Sequence, residues 1–438
     1  MIIVIETAIM LAYMINSILG IGVMLAVLMW KLMFSKKGGS IYQSFELMIM
    51  ALPLAYIGIA GPTMHQLFSW YHLFLIAFFI KIIVRYSGRI PFSVSAMIPI
   101  MIMLFCLLLN LLWAKDIPGA LTEIAQMMIM VIPLAVVHSV RDRFLISRDE
   151  AYQLLGEYVD VCTATAIVML MQYVMYYYAH RQIGMILFSG NNRVQFYALF
   201  KGASILPIYM GIGVIFLFIE CLEKRITIAI IAKMAIIFLA STLNSSRTAL
   251  LSMMIVMVFI CIKYFMYAPS LKGLSIAVIG FTGFYYAIDY ITRIRNKLSN
   301  FLDANGRIET WRNGIRIWSV NAKNIILGEG FTGGRWEGIT KPHNLIIQTM
   351  AQCGIIITIA VMVMIGKYLI DNRKNPYVFI PFYLILSGMM VTDFYANAFT
   401  TVAFMLVDLY CEPENSRRRI SSKSANRTML RQKEAKSI

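Results

Sequence analysis

The sequence predicts an all-α, polytopic integral membrane protein of about 12–14 transmembrane helices, with one long extracytoplasmic loop between late helices. Three observations lead to that expectation. Hydrophobic residues make up 60% of the 438 residues and charged residues only 14%, and the mean hydropathy is +0.73. The apolar residues fall in repeated runs of about 20, each long enough to cross ~30 Å of hydrocarbon. Those runs are continuous rather than alternating, which excludes a closed β-barrel.

The runs at 4–30, 42–60, 66–84, 91–113, 118–138, 158–178, 202–220, 226–242, 247–265, 273–289, 344–366, 377–392 and 396–411 each read as a helix. The first is long for one crossing, and the last two are short. The N-terminus has no basic n-region and no small-residue cleavage site, so the first run reads as a retained helix. The chain then divides into a transmembrane bundle (1–288), an extracytoplasmic loop with a short amphipathic helix (289–342), C-terminal transmembrane helices (343–411) and a basic cytoplasmic tail (412–438). The tail is polar and rich in Ser and Arg, a composition that predicts disorder.

The net charge of +17 supplies the orientation. If the helices alternate, Lys31, Lys36, Arg85, Arg89, Arg141, Arg148, Lys224, Lys263, Lys367, Arg373 and the tail all share one side, which the positive-inside rule makes the cytoplasm. Charge in short loops and a tail suits topology and anionic lipid rather than nucleic acid, so no nucleic-acid partner is expected. The six cysteines, Cys106, Cys162, Cys221, Cys261, Cys353 and Cys411, are scattered and form no C-x-x-C pair, so neither a disulfide framework nor a metal site is expected. Two outward segments, His180–Lys201 and Asp289–Pro342, are basic against the orientation bias. An anionic ligand is the simplest reason for that.

Three constellations bear on chemistry. In Asn244-Ser245-Ser246-Arg247-Thr248-Ala249-Leu250-Leu251 a polar residue can cap an outward helix start, with Arg247 in its first turn and Leu251 one turn below. A guanidinium beside the free N–H groups of a helix N-terminus suits phosphate, although spacing alone equally fits an arginine snorkelling to headgroups. In Pro342-His343-Asn344, proline suits the first helical position, which sets His343 at a second outward helix N-terminus. A neutral imidazole there can accept a proton from a sugar hydroxyl, and Gly354, three turns deeper, allows close helix packing. The residues also fit an interfacial histidine. In the loop, Arg307, Trp311, Arg312 and Arg316 lie at i, i+4, i+5 and i+9, so Arg307 and Trp311 share one face of a surface helix. Gly328, Gly330, Gly333 and Gly334 then mark irregular backbone. Trp311, Trp318 and Trp336 suit sugar stacking or interfacial anchoring.

The runs Ser246-Arg247-x3-Leu251, Gly306-Arg307-x3-Trp311, Leu327-Gly328-x-Gly330-Phe331 and His343-Asn344-x9-Gly354 resemble, in order, those of the O-antigen ligase and O-antigen polymerase family. The resemblance is detailed over Asn244–Gly354 and extends along the chain in hydropathy. Ile357, with Thr358 beside it, stands where the family often has a small or hydroxyl residue. The family's mid-chain extracytoplasmic arginines are matched loosely by Arg181 and Arg193.

The resemblance implies a metal-independent glycosyltransferase with no cofactor, in the bacterial cytoplasmic membrane with its site facing outward. Its partners would be an undecaprenyl-diphosphate-linked glycan donor, a glycan acceptor, membrane lipids, and flippase and chain-length regulator proteins. It implies that Arg247 and Arg307 bind the diphosphate and that His343 serves as general base or orienter. Asn344, Arg312, Trp311, Arg193 and Arg181 complete the implied substrate-binding set. A polymerase of O-antigen, capsule or exopolysaccharide is the leading expectation, and a ligase to lipid A–core is the alternative within the same chemistry. The competing class is a lipid-linked oligosaccharide transporter, which predicts charged residues at mid-membrane. Asp160, Glu220 and Asp393 sit near helix ends in this topology, which favours the enzyme.

Overall fold

A chain this apolar must satisfy its own backbone N–H and C=O groups in lipid, and helices do so within one segment. The computed structural model describes residues 1–34, 40–59, 68–86, 94–140, 146–189, 193–200, 202, 205–224, 226–244, 246–267, 269–294, 307–391 and 397–410. The tail 412–438, and with it Cys411, Asp393, Ser245 and Gly306, lie outside the described residues.

Among the described residues the α-helices run in this order. The first eight are α1 (Ile2–Ile15), α2 (Ser17–Phe34), α3 (Ile41–Met50), α4 (Trp70–Arg85), α5 (Val94–Leu109), α6 (Ile117–Val140), α7 (Arg148–Tyr177) and α8 (Ile205–Glu223). The next eight are α9 (Ile228–Leu243), α10 (Arg247–Tyr267), α11 (Leu271–Ile294), α12 (Arg307–Trp318), α13 (Ala322–Leu327), α14 (Leu345–Asp371), α15 (Phe379–Gly388) and α16 (Ala398–Tyr410). Seven of them (α2, α6, α7, α8, α10, α11 and α14) are long and apolar enough to cross a membrane, and five shorter apolar helices accompany them. The chain is an all-α, multi-pass membrane protein.

The structure departs from the expected segments where a local rule overrides hydropathy. The run 4–30 is a hairpin of α1 and α2. Asn16 takes extended backbone (φ −159°) and its side chain accepts from Ile18 N at 2.8 Å, ending one helix and starting the next. The run 42–60 is helical only to Met50; Pro53 follows in a 3₁₀ turn, Leu52–Leu54, because proline cannot continue the hydrogen-bond ladder. Helix α7 starts well before the expected 158, since Ser147 and Glu150 form a capping box. The basic segment 180–201 holds an unexpected antiparallel hairpin of β1 (Ile186–Ser189) and β2 (Arg193–Phe196). Buried Gln172 of α7 pins it, donating to Ile183 O at 2.8 Å and accepting from Ala198 N at 2.9 Å.

Helix α8 is the most enclosed of the seven spans, with 94% of its apolar window buried. Around it α1, α3, α4, α7, α10, α15 and α16 form the main core. A second core of α5, α6 and α14 receives Phe331 from the loop after α13.

Helix α14 is broken in its middle. Gly354 stands at φ 78° and ψ 177°, outside helical geometry. The break exposes carbonyls of the preceding turn, and the turn after α13 fills it: Glu329 N donates to Ala351 O and Gly330 N to Gln352 O, both at 2.9 Å. Asn110, at the end of α5, donates to Leu327 O at 2.7 Å, and Thr358 Oγ1 donates to Gly354 O at 2.8 Å. The two backbones approach so closely that a Cβ at Gly354 would lie 2.2 Å from Ile326 O, and one at Gly328 2.4 Å from the Gln352 carbonyl. Irregular backbone at this depth survives because protein, not lipid, covers it.

Gly354→Ala therefore combines positive-φ strain with a backbone clash, and should lower stability by at least ~2 kcal/mol, read as a fall in the thermal midpoint of the purified protein. Gly366→Ala in the same helix, where a Cβ meets nothing within 4 Å, should leave the midpoint level or slightly higher.

Candidate functional site

The site is organised by α12. Its inward face carries Arg307, Trp311, Gly314 and Ile317, the first two half-buried and the last two buried. Gly314 lets the helix touch Pro342: a Cβ there would lie 2.5 Å from the proline ring. The Trp311 indole N–H donates to His343 O at 3.3 Å. One turn earlier, Arg307 Nη2 donates to Thr248 Oγ1 at 3.1 Å, and Nη1 reaches Met390 Sδ at 3.5 Å. A single turn of helix thus joins the start of α10 to the start of α14, bringing Arg307, Trp311, His343 and the neighbour of Arg247 together.

Arg247 is the first residue of α10 and half-buried. Burial, and then the positive charge of Arg247, push the Arg307 guanidinium below its ordinary pKa. Two guanidinium groups that repel each other in partial burial favour an anion between them. Asn244 closes α9, and its side chain accepts from Phe196 N at 3.2 Å, tying the β-hairpin to this corner.

The start of α14 differs from the expectation. Pro342 is not its first residue; it packs on Gly314, and the helix begins at Leu345. Asn344 is the N-cap, its Oδ1 accepting from Ile346 N at 3.0 Å and Ile347 N at 3.1 Å, so His343 precedes the cap. The Asn344 carbonyl-type oxygen is thereby committed to the helix.

Arg312 is exposed, on the side of α12 away from Arg307 and Trp311. Arg181 is exposed after α7, and Arg193 pairs with Ser189 through its backbone, its side chain lying outside the described residues. The three tryptophans anchor the loop. Besides Trp311, Trp318 donates to Ile325 O at 3.1 Å, and buried Trp336 donates to Gly330 O at 2.9 Å.

Several supporting residues were not singled out from sequence. Thr248 sits inside the motif that drew attention to Arg247, yet a hydroxyl in a helix interior carries no signal by itself. Glu329 is buried and accepts from Arg335 Nη1 at 2.8 Å and from Asn324 Nδ2 at 2.9 Å. Two ion pairs, Lys115–Glu337 at 2.8 Å and Lys341–Glu123 at 3.3 Å, stitch the loop to the α5–α6 connection and the start of α6. Thr332 Oγ1 adds a bond to Asp116 O at 2.9 Å. Among the described residues, no three His, Cys, Asp or Glu side chains are grouped to hold a metal ion.

Burial alone would raise the Glu329 carboxyl, but hydrogen bonds from Asn324 and Arg335 and the nearby Lys323 charge bring it below the usual carboxylate range. A depressed carboxylate stabilises the folded loop above the unfolded value of about 4.3 and loses that contribution as pH falls through the lower folded value. The thermal midpoint should accordingly drop on acidification below about pH 4. Glu329→Gln should start lower at neutral pH and show a shallower acid decline.

Set against known proteins, the chain matches no family model and no curated protein.

Proposed function

We propose that the protein is a metal-independent membrane glycosyltransferase. It would join lipid-diphosphate-linked oligosaccharide units into a polysaccharide at the outer face of the cytoplasmic membrane. The observation that carries this reading is the single turn of α12 that holds Arg307 on Thr248, beside Arg247, and Trp311 on the His343 carbonyl. A paired cation, with His343 held through its carbonyl on the same helical turn, suits transfer from a diphosphate carrier. The acceptor hydroxyl oxygen forms the new bond to the anomeric carbon while the bond from that carbon to the diphosphate oxygen breaks. His343 takes or orients the hydroxyl proton. Arg247 and Arg307 stabilise the charge gathering on the departing diphosphate, where charge-assisted hydrogen bonds are strongest. A ligase to lipid A–core would use the same chemistry with a different acceptor.

A second reading has an observation of its own. Charged residues inside the N-terminal helices are more numerous than the topology suggested. Lys31 pairs with Glu46, Lys233 with Asp160, and Tyr42 donates to Glu157 at 2.8 Å. Glu6 of α1 is fully buried and makes no hydrogen bond among the described residues. Ionisable groups inside membrane helices are a mark of transporters. They are built on α1, α2, α3, α7 and α9, whereas the residues gathered by α12 come from α10, α12 and the start of α14, and that separation favours the enzyme.

His343→Ala should abolish polymer formation while the protein stays folded in the membrane; normal chain length in that variant would remove the histidine from the mechanism. Arg247→Ala and Arg307→Ala should each slow transfer by about a hundred- to a thousandfold. Lysine should rescue poorly because the two-pronged geometry is lost, and full activity with lysine would reduce both residues to bulk charge. A chelator should leave transfer by the purified protein unchanged.

A further inference from the structure

An apolar groove of about 190 Å³ follows α14 from Leu345, two residues after His343, to Asp371, between α5, α6 and α16. A cavity of ~150 Å³ is already enough to hold a benzene ring, so this one can order a segment of hydrocarbon chain. Pro99, Met127, Val131 and Ala135 form its inner wall. Val363, which also lines it, is 61% exposed, so the groove opens sideways to the hydrocarbon of the bilayer.

The lining turns polar at the end where α6 and α14 finish, at His138, Lys367 and Asp371. His138 Nδ1 lies 3.2 Å from Asp408 Oδ2, and its Nε2 lies 4.0 Å from Asp371 Oδ2. Asn372 Nδ2 donates to the other Asp408 oxygen at 3.2 Å. Asp408 is 2% exposed and serves the protein interior, whereas the Asp371 side chain is 30% exposed at the groove's end. Lys367 stands one turn before Asp371 on the same helix and is exposed.

We propose that this groove is a binding site for an aminophospholipid, with an acyl chain between α5, α6, α14 and α16, the headgroup ammonium on Asp371 and the phosphate on Lys367. The charge order argues for that occupant. A carboxylate and an ammonium one helical turn apart match a zwitterionic headgroup bearing both signs. A choline headgroup has no N–H to donate, and a glycerol headgroup has no cation. A diphosphate carrier would bring two negative phosphates to a polar end that already holds Asp371 and Asp408, so its headgroup does not match that end of the groove.

Native mass spectrometry of the full-length protein tests this. The protein is released from mild detergent after equilibration with phosphatidylethanolamine, phosphatidylcholine and phosphatidylglycerol of identical acyl chains. The wild type should retain the ethanolamine lipid over the choline lipid by about tenfold, the worth of one hydrogen bond to a charged group. Asp371→Asn should bring that ratio to about one with the thermal midpoint unchanged. Val363→Trp, at the open mouth, should lower retention of the bound lipid without touching the polar end. Equal retention of ethanolamine and choline lipids, a ratio unaltered by Asp371→Asn, or displacement of the ethanolamine lipid by a polyprenyl phosphate would each overturn the proposal.

Discussion

Two backbone hydrogen bonds, Glu329 N to Ala351 O and Gly330 N to Gln352 O, hold the rest of the candidate site in place. Without them α14 would carry unsatisfied carbonyls at its break, each costing several kcal/mol away from water. With them, the turn after α13 is fixed against the middle of a membrane helix. Phe331 then enters the second core, Trp336 closes over Gly330, and α12 lies across the start of α14. The placement of Arg307 and Trp311 follows from that interlock, because only then does one helical turn reach both Thr248 and the His343 carbonyl.

The same constraint explains why the loop is rich in glycine and tryptophan. Gly328 and Gly354 face each other's backbone, where any Cβ would collide, and Gly314 admits Pro342. Each of Trp311, Trp318 and Trp336 donates its indole N–H to a main-chain carbonyl. Such bonds let a polar loop remain ordered above an apolar bundle. Cations distributed around it then sort by face: Arg307 turns inward against α10, while Arg312 turns out.

Much of the fold was legible because hydropathy is blunt and strong: the continuous apolar runs mark the helices, and the amphipathic stretch at 307 becomes α12. What hydropathy missed was decided by single residues. Asn16 splits one long run into a hairpin, Pro53 stops another, and the Ser147–Glu150 capping box extends α7 into a polar stretch. The short β-hairpin depends on Gln172 and Asn244, distant residues whose pairing no local pattern announces. At the site, the i, i+4 spacing of Arg307 and Trp311 correctly put them on one face, and the N-terminal position of Arg247 was readable from its polar lead-in. The break at Gly354 was not readable, because a glycine in an apolar run looks the same whether it packs or kinks. Nor was Asn344 as cap, since the proline before it pointed to an earlier helix start.

Whether the residues gathered by α12 break a glycosyl–diphosphate bond can be read from the fate of the donor. Purified protein in sealed liposomes is given a lipid-diphosphate-linked glycan in the leaflet facing Arg247 and His343, and the lipid products are separated. The predicted result is a longer lipid-linked glycan together with one free lipid diphosphate per bond formed. Intact donor that has only changed leaflet would contradict it and assign the buried charges of the N-terminal helices the principal role.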